Sequence, residues 1–529
     1  VIGSGPVRIG QGIEFDYCAV QAAQTLRADG QAAVMINSNP ETVSTDFDAS
    51  SRLYFEPLDA ESVLEVIDAE SVGGEGLLPA LVQFGGQTPL NLAAALAAAG
   101  VPLPGIDLDA IERTEERTRF AQMVDRLGIP QPRGGMATSL AEALAVAEEV
   151  GYPVLVRPSF VIGGLAIDFC HGPADLERQL AAATLVSEER PVRIDAYLEG
   201  LEVDVDAVTD GRDVLIPGLM AHVERAGVHS GDSVAVFPPQ QLSAADQALI
   251  VTAMRRICLE VGVRGLVNAQ FIVRDDGVYV LEVNPRASRT VPFLSKVTGV
   301  PMVALATRVG QGATLAELGW RDGLVPPPGL VAVKAPVFST AKLRGVDPSV
   351  GPGMQSTGEV IGLHEDFEVA MAKALLAASL RPPLPDLHGA AALISIAPRD
   401  EGRLAELARA LAHVGYHFIA TPGTAAGLRR LGHEVREAAL LGAPHDRLPS
   451  ILDVIAGGEV SFVVNTPAPR SGAVLDAAAI RHAAVAEGIL CLTDIDTAVA
   501  AARSLDPAAQ ARVTDVRSLD VWLGGGTGR

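Results

Sequence analysis

The sequence predicts a multidomain α/β protein, and three observations support this fold class. The chain of 529 residues is too long for a single hydrophobic core. Apolar residues make up 48% of it, as in packed globular proteins. Short apolar strands alternate with helical stretches and glycine-rich loops over most of its length. We therefore expect four regions in series, with boundaries at 1–105, 106–310, 311–385 and 386–529.

Composition limits the kinds of partner and the compartment. The formal net charge of −23 repels phosphate backbones, so we expect no nucleic-acid partner, and an anionic substrate would need a local basic cluster. The four cysteines lie far apart without CxxC or Cys/His spacing, which is typical of reduced thiols in a cytoplasmic protein. No apolar stretch is long enough to span a membrane and no signal peptide is evident, so we expect no membrane association.

Residues 1–105 have the pattern of a parallel, doubly wound, Rossmann-like sheet. The stretches AAVMINSNP (32–40) and PALVQFGGQTP (79–89) each run apolar and then break into Asn, Gly and Pro, as strands do before ligand-binding loops. Only Val1 and Ile2 precede the first glycine turn, whereas a strand normally has about five residues. We therefore expect the sequence to be part of a longer polypeptide.

Residues 106–310 contain two clear helix signals. Ser139 with an acidic residue three positions later predicts a helix that ends at Gly151. Ser243, again followed by an acid at the third position, predicts a helix through about Val261. Strands are expected to follow each helix.

The remaining regions differ from each other. Residues 311–385, with VPPPG at 325–329, are predicted to form a small helical and loop-rich region that closes the second unit. Residues 386–529 alternate again, which predicts a further α/β domain. Its expected elements are a strand at 391–397, a helix at 401–414, a strand at 416–420 and a strand at 459–467.

A predicted hairpin interrupts two apolar strands with polar side chains. In GLVNAQFIV (265–273), Asn268 and Gln270 share one face, and in VYVLEVN (278–284), Glu282 and Asn284 share another, because strand side chains alternate. A three-residue loop at 275–277 would place Gln270 opposite Glu282 and Asn268 opposite Asn284. Burial of an unpaired carboxylate costs several kcal/mol, so this face must meet water or a cation.

Two interpretations of this face remain open from the residues alone. Carboxylate and amide oxygens are the ligands that Mg²⁺ or Mn²⁺ prefers. The alternative is an ordinary ion pair on an exposed sheet face. Nearby arginines favour the metal: Arg157 lies inside the apolar strand at 153–159, close to the Gly163-Gly164 turn, and Arg286 and Arg289 follow the hairpin. Fixed cations beside a metal site suit phosphoryl transfer.

Several motifs carry a family resemblance. RPSFVIGG, EVDVDAV, ERAGVHSGDS, VRGLVNAQF and LEVNPRASRTVPF occur in the order found in ATP-grasp ligases. With GPVRIGQGIEFDY, INSNPETVSTDFD and QFGGQTPLNLA, the chain resembles the C-terminal half of the carbamoyl-phosphate synthase large subunit, strongly to about residue 310. The four regions then correspond to a pre-ATP-grasp domain, an ATP-grasp domain, the small helical region that closes it, and a methylglyoxal-synthase-like regulatory domain.

The resemblance implies specific roles. ATP phosphates are expected at Arg117 and Arg157, and the adenine and ribose at Leu198 and Glu202. The loop beside the nucleotide is expected to comprise Gly227, Val228, His229 and Ser230. The Mg²⁺ or Mn²⁺ ligands are expected to be Gln270, Glu282 and Asn284. The transferred phosphate and the carbamate are expected at Arg286 and Arg289, with Asn284 as the third catalytic residue. A K⁺ site is expected at His222, Glu224 and Ser233. Gly3, Gly5 and Gly10 are expected to form turns that line an interior path or domain contacts.

The same resemblance implies the reaction and its partners. Carbamate would attack the γ-phosphate of ATP, as the second half-reaction of glutamine-dependent carbamoyl phosphate synthesis for arginine and pyrimidine biosynthesis. The N-terminal half of the large subunit and a glutamine amidotransferase small subunit would supply carbamate and ammonia. A nucleotide effector would contact Thr421, Thr424 and Asn465. The segment REAALLGAPH (436–445) lacks the lysine that relatives carry for phosphate, and Pro467 replaces a hydroxyl, which should weaken anion binding.

Three other functions compete with this one. An NAD-dependent oxidoreductase could use the first glycine loop, but GSGPVRIG lacks the full GxGxxG fingerprint. Another ATP-grasp ligase, such as a biotin carboxylase or a carboxylate–amine ligase, would share the metal hairpin but not GIEFDY or NPETVSTD. A scaffold with an inactive site would not need Arg157, Gln270, Glu282, Asn284 and Arg289 together.

Overall fold

The computed structural model describes residues 1–8, 11–74, 76–158, 168–182, 191–339, 347–385, 390–440, 448–466 and 471–524. The first domain packs helices around a short parallel sheet. Its elements are α1 (Glu14–Ala28), β1 (Val34–Ile36), β2 (Arg52–Tyr54), α2 (Ala60–Ser71), α3 (Gln87–Leu90) and α4 (Ala93–Ala98), with a 3₁₀ turn at Val43–Thr45. Strands β1 and β2 are parallel, and Ile2 bridges to Ile36. The predicted parallel arrangement is therefore confirmed.

One predicted strand of this domain is not regular in the structure. Around Leu81 the chain runs beside Ile2, whose N–H donates to the Leu81 carbonyl at 3.3 Å, but the pairing goes no further. Gly85 follows at once and lies so close to the backbone of Gly3 that a Cβ there would sit 2.6 Å from its carbonyl oxygen. Gly85 therefore serves close backbone approach, and the predicted turn residue Gly10 lies outside the described residues.

The second domain begins with helices and a small antiparallel sheet. Its first elements are α5 (Leu108–Glu115), α6 (Arg117–Arg126), β3 (Gly134–Ala137), α7 (Leu140–Val150), β4 (Val154–Pro158), β5 (Asp168–Cys170), α8 (Pro173–Ala182) and β6 (Val192–Ala196). The strands pair in the order β3-β6-β4-β5. Ser139 accepts from the N–H of Glu142 and caps α7, which confirms the predicted helix start. The Gly163-Gly164 turn lies outside the described residues.

A larger sheet carries the rest of this domain. Its elements are β7 (Leu201–Thr209), β8 (Val214–Ile216), β9 (Leu219–Arg225), β10 (Ala235–Phe237), α9 (Ala244–Val261), β11 (Gly265–Arg274), β12 (Gly277–Asn284), α10 (Thr290–Thr298) and α11 (Met302–Gly310). Ser243 caps α9 as predicted. Among these strands the order is β12-β11-β7-β9-β10, with β8 pairing to β7.

The expectation of a helical region at 311–385 is wrong for the described part of that segment. It contains β13 (Gly323–Leu324), β14 (Val331–Val337), β15 (Gly358–His364) and a single regular helix, α12 (Phe367–Ala377). Strands β14 and β15 extend the large sheet from β10. The reason is local. VAVKAPV and GEVIGLH contain several β-branched residues, which favour strands, and the prolines at 326–328 lie before β14 and not within it.

The third domain is a parallel α/β unit, as predicted. Its elements are β16 (Ala390–Ser395), α13 (Glu401–His413), β17 (Tyr416–Ala420), α14 (Pro422–Arg430), β18 (Val435–Glu437), α15 (Ile451–Ala456), β19 (Val460–Asn465), α16 (Ser471–Ala486), β20 (Leu490–Leu492), α17 (Ile495–Ser504), α18 (Pro507–Gln510) and α19 (Leu519–Trp522). The strand order is β18-β17-β16-β19-β20, all parallel.

Within the described residues no single helix could cross a membrane, although α10 and α11, bent by 110°, together pass that test of length and composition. The four cysteines are free thiols, and Cys18, Cys170 and Cys258 are buried. The first and second domains share one hydrophobic core, which joins residues of the first sheet to the buried face of β7 and β11. This packing fixes the first domain against the sheet that carries the polar hairpin.

Candidate active site

The hairpin of β11 and β12 has the predicted pairing. Gln270 lies opposite Glu282, and Asn268 lies opposite Asn284. The loop, however, has two residues, Asp275 and Asp276, not three, because Arg274 pairs with Gly277. A bulge at residue 281 adds the missing residue and restores the expected register beyond it. The Asn284 Nδ2 donates to Glu282 Oε1 at 3.1 Å, so these side chains meet on one face.

The neighbouring strand β7 extends this polar face. Asp204 pairs with Gln270 and Asp206 pairs with Asn268, which places both carboxylates on the same side of the sheet. Asn268 donates to Asp206 at 3.2 Å. Glu202 lies two residues before Asp204 and is also buried. Four oxygen-bearing side chains of the hairpin and three carboxylates of β7 therefore line adjoining rows of one sheet.

His222 from β9 completes a buried acidic cluster. Its Nε2 lies 2.9 Å from Asp204 Oδ2, and its Nδ1 lies 3.7 Å from Glu202 Oε1. Potential ligand atoms of the three side chains all lie within 4.8 Å of one another. Burial raises the pKa of Glu202 to about 7. Burial opposes ionisation of Asp204 too, but the charge and hydrogen bond of His222 outweigh it and hold the Asp204 pKa below its usual value.

A partly buried arginine faces the polar hairpin from the small sheet. Arg157 on β4 has its Nε 3.9 Å from Asp195 Oδ2, and that Nε has no hydrogen-bond partner in the described part of the chain. Burial and the charge of Arg117 lower the pKa of Arg157, while Asp195 and Glu282 raise it. Arg117 and Glu282 are therefore close enough to Arg157 for their charges to act on it. A buried guanidinium nitrogen without a hydrogen-bond partner is suited to an anionic ligand.

The two arginines after the hairpin have different partners. Arg286 Nη2 lies 3.4 Å from Asn284 Oδ1, and its Nε donates to Gln87 Oε1 at 3.0 Å, so it stays at the polar face. Arg289 Nε lies 3.1 Å from Glu14 Oε1, a carboxylate of the first domain. Its Nη1 contacts the sulfur of Met354 at 2.7 Å. Arg289 therefore stands where the first domain meets the larger sheet.

The predicted nucleotide loop follows β9. Gly227 has a φ of 113°, and a Cβ there would lie 2.6 Å from the Phe169 ring, so glycine is required. The Ser230 carbonyl accepts from Lys334 Nζ at 2.7 Å. Burial, reinforced by the charges of Arg289 and Lys334, lowers the pKa of His229 to about 3, so this imidazole is neutral at physiological pH. Val228 lies within the same loop, and Leu198 lies in the loop between β6 and β7.

The three residues predicted for K⁺ belong to two neighbouring groups in the structure. His222 belongs to the cluster with Glu202 and Asp204, whereas Glu224 accepts from Ser233 Oγ at 2.9 Å and from the Val234 N–H at 2.8 Å. Glu224 also accepts from Thr497 of the third domain. Burial raises the pKa of Glu224.

The three predicted effector residues lie together in the third domain. Thr421 Oγ1 lies 3.3 Å from Ser395 Oγ and 3.5 Å from Thr424 Oγ1. Asn465 Nδ2 lies 3.4 Å from the Ser395 carbonyl, at the carboxyl ends of neighbouring strands. Arg481 donates to Asn465 Oδ1 at 3.0 Å and is 3% exposed, so the group contains a buried cation that sequence reasoning missed. Pro467 and residues 441–445 lie outside the described residues.

Other residues at the site were also missed. Asp204 and Asp206 belong to EVDVDAV, whose acids at every second position signal one charged strand face. Lys334 is a lone cation inside the apolar strand β14, which is a comparable signal. Glu14 gave no signal, because its contact with Arg289 joins residues far apart in the chain.

The side chains present fit a magnesium-bound nucleotide triphosphate. Glu282, Gln270 and Asn284 offer carboxylate and amide oxygens on one sheet face, the donor set that Mg²⁺ or Mn²⁺ prefers. The unpaired Arg157 Nε faces the same region. A separate cavity of about 410 Å³ opens beside Gly5, Arg8, Phe55 and Thr88 in the first domain. We place the chemistry at the hairpin, because that cavity holds neither carboxylate pairs nor a buried basic cluster.

Comparison with known proteins identifies the family. Residues 1–113 match the carbamoyl phosphate synthase pre-ATP-grasp domain, and residues 116–318 match the carbamoyl-phosphate synthase L chain ATP-binding domain. The carbamoyl phosphate synthase large chain of Thermomicrobium roseum is 54% identical over 507 residues. The chain belongs to the carbamoyl phosphate synthase large-chain family. Residues 403–493 match the MGS-like domain, which agrees with the predicted third domain of such a chain.

Two further comparisons define the extent and the fold. The aligned part covers 96% of this chain and 46% of the T. roseum large chain, so the chain spans about half the length of that relative. The biotin carboxylase domain of Hydrogenobacter thermophilus 2-oxoglutarate carboxylase, solved with MgADP and bicarbonate, has a TM-score of 0.53 at 20% identity, covering 70% of this chain and 89% of that one. Campylobacter jejuni biotin carboxylase also gives 0.53, at 15% identity, covering 70% and 90%. These likenesses establish an ATP-grasp fold.

Proposed function

We propose that this chain phosphorylates carbamate with ATP to form carbamoyl phosphate and ADP, as the second half-reaction of glutamine-dependent carbamoyl phosphate synthesis. The observation that carries the proposal is the polar face on which Gln270 lies opposite Glu282, beside the unpaired Arg157 Nε. Membership of the carbamoyl phosphate synthase large-chain family supports the choice of substrate. The product would serve arginine and pyrimidine biosynthesis in the cytoplasm.

The chain's own groups account for the transfer. A carbamate oxygen attacks the γ-phosphorus, and the bond to the β-γ bridging oxygen breaks, so the electron pair leaves with ADP. Arg117 and Arg157 hold the phosphates in line, and Arg286 and Arg289 neutralise charge that spreads over the moving phosphoryl group. Gln270, Glu282 and Asn284 would hold Mg²⁺ or Mn²⁺, which when bound would offset the negative charge of the phosphates. No covalent enzyme intermediate is needed.

The surroundings of these groups support a closed site. Carbamate hydrolyses readily, so the reaction must exclude water. The neutral His229 and the buried Lys334 are fixed within the loop and sheet beside the nucleotide. Leu198 and Glu202 would contact the adenine and ribose. K⁺ would lie near His222, Glu224 and Ser233, where buried carboxylates need a counter-charge.

Partners follow from the proposed reaction. The N-terminal half of the large subunit would generate the carbamate, and a glutamine amidotransferase small subunit would generate the ammonia. The MGS-like domain would bind a nucleotide effector at Thr421, Thr424 and Asn465, with Arg481 as the nearby cation.

A second candidate function is another ATP-grasp carboxylation or carboxylate–amine ligation. Its support is the likeness of the fold to biotin carboxylase domains, one of them solved with MgADP and bicarbonate. Both candidates require nucleotide at the hairpin, and they differ in the acceptor.

The reverse reaction tests the proposal and separates the two candidates. The protein is incubated with MgADP and carbamoyl phosphate, and ATP formation is followed with a coupled luciferase reaction. ATP formed from carbamoyl phosphate but not from acetyl phosphate supports carbamate chemistry. Equal use of both phosphates, or bicarbonate-dependent ATPase activity without carbamoyl phosphate synthesis, favours the second candidate. If no ATP forms from carbamoyl phosphate, the proposed function is wrong.

A further inference from the structure

Residues 347–356 connect the third domain to the nucleotide loop, and we call this segment the strap. It has no regular secondary structure, and it approaches β15 from the direction of the third domain. Its first half contacts the third domain. Its second half contacts residues 229–232, where the nucleotide loop ends. No residue of the strap was singled out by the motifs or by the family resemblance. Its contacts alone draw attention to it.

The third-domain end of the strap is held by a charged clamp. Arg481 on α16 binds Asp347 with two nitrogens, and its Nε donates to Asp347 Oδ1 at 2.6 Å. Burial opposes ionisation of Asp347, but Arg481 outweighs it and lowers the Asp347 pKa. Three residues further on, the Val350 N–H donates to Thr493 Oγ1 at 3.2 Å. Two independent hydrogen-bonding contacts therefore fix this end to the third domain.

The other end of the strap is bonded to the nucleotide loop. The His229 N–H donates to the Gly351 carbonyl at 2.7 Å. Asp232 accepts from the N–H groups of Gln355 and Ser356, each at 2.8 Å. The hydroxyl of Ser356 also donates to the Gly231 carbonyl at 2.9 Å. Within the described residues, His229 in the nucleotide loop and Asp232 just after it therefore bond to a segment whose far end is fixed on another domain.

The clamp also touches the residues expected to hold an effector. Besides Asp347, Arg481 donates to Asn465, which in turn contacts the Ser395 carbonyl beside Thr421. Arg481 is nearly fully buried, so its partners at this position determine where the guanidinium lies. A change on the Asn465 side must alter how Arg481 holds Asp347.

We propose that the strap positions the nucleotide loop, and that the Asp347–Arg481 pair is the contact through which the third domain sets the order of that loop. Asp347 is a positioning residue that acts through Val350, Gly351 and the Asp232 contacts, and it touches neither nucleotide nor carbamate. The inference rests on the proposed function for the identity of the ligand beside the loop. The coupling itself is a property of the free protein.

Amide hydrogen exchange of the whole chain tests this coupling without ligand. In Asp347→Asn, exchange of the His229 and Asp232 amides is expected to rise by at least about 5-fold, because the loop loses its anchored partner. Thr493→Val removes the hydrogen bond from the Val350 N–H. It is also expected to raise the exchange of the same two amides. Asp347→Glu keeps the carboxylate and is expected to stay within about 2-fold of the parent. Asp29→Asn is the matched control, since Asp29 also binds an arginine, Arg308, with both oxygens.

The outcomes are distinct from those that test the function. Loop exchange equal to the parent in both Asp347→Asn and Thr493→Val overturns the proposal, as does an equal rise in Asp29→Asn. If Asp347→Asn does not fold, Thr493→Val alone decides. MgADP is then added to the parent and to Thr493→Val: a several-fold weaker affinity in the variant extends the coupling to the nucleotide. If MgADP fails to protect the loop even in the parent, the proposed function fails, while the exchange comparison on the free protein still tests the strap.

Discussion

Asp204 Oδ2 and His222 Nε2 lie 2.9 Å apart between two neighbouring strands, and this contact keeps the centre of a carboxylate-rich sheet face ionised. Burial raises the pKa of Asp206, which lies two residues from Asp204 on the same face, to about 6. His222 supplies Asp204 with a counter-charge, and Asp206 lacks this contact with the histidine. Gln270 on the next strand lies opposite Asp204, so one carboxylate stands between the histidine and the proposed metal ligands.

Arg157→Lys should weaken nucleotide binding. The planar guanidinium can offer two parallel N–H groups to a phosphate, whereas an ammonium is a single point charge. We expect the affinity for MgADP to fall about 10-fold, measured by calorimetry. Arg133→Lys is the matched control, because Arg133 is exposed and donates to the Val150 carbonyl on the same small sheet unit. An unchanged affinity in Arg157→Lys would remove this arginine from the phosphate site.

Lys334→Met should destabilise the protein. Lys334 is 3% exposed, donates to the Ser230 carbonyl, and offsets the negative charges of Asp204 and Glu359. Removing one partner from a buried charge network leaves the others uncompensated, so we expect the free energy of unfolding to fall by about 3 kcal/mol. Urea denaturation measures this change.

A second lysine provides the control for that prediction. Lys296 is exposed, and its Nζ lies 4.1 Å from the centre of the Tyr17 ring. Its replacement by Met is expected to cost about 1 kcal/mol or less, because it loses a cation–π contact and keeps its packing. Equal effects of the two substitutions would mean that Lys334 does not neutralise the site.

Asp494 should make stability fall as pH rises. Burial and the charge of Glu224 raise the pKa of Asp494 to about 7, whereas an unfolded Asp titrates near its ordinary value of 3.8. Between those two values the folded state binds more protons than the unfolded state, so the free energy of unfolding decreases as pH rises through this window.

Asp494→Asn isolates this effect. The Asn side-chain oxygen can still accept from the N–H groups of Asp496 and Thr497 that cap α17, while the charge is gone. We expect the variant to be about 1 to 3 kcal/mol more stable than the parent at pH 8 and equal to it at pH 4, measured by urea denaturation. A parent that is more stable than the variant at pH 8 would contradict the assignment.

The local features of the fold could be predicted from the sequence. The caps at Ser139 and Ser243 depend on neighbouring residues, and the pairing of Gln270 with Glu282 follows from strand alternation. The pairing was predicted correctly, but the loop was not. A two-residue loop and a bulge at residue 281 replace the expected three-residue loop. A bulge depends on packing against the rest of the sheet, which the hairpin sequence does not specify.

Contacts between distant segments could not be predicted. Arg289 with Glu14, Lys334 with Ser230, and Arg481 with Asp347 each join residues from different elements or domains. Strands β14 and β15 were missed because proline-rich and glycine-rich stretches surround them, although they complete the large sheet. Strand β14 pairs with β10, about a hundred residues earlier, and β15 pairs with β14. Pairing at the separation of β10 and β14 leaves no local pattern.

The central claim is that Glu282 helps to hold the metal that seats the nucleotide triphosphate. The most direct measurement compares ATP formation from MgADP and carbamoyl phosphate by the parent and by Glu282→Gln. The substitution keeps the shape and removes the charge, so we predict a rate at least about 100-fold lower, equivalent to about 3 kcal/mol of transition-state stabilisation. A folded Glu282→Gln protein that forms ATP at the parent rate would contradict the account.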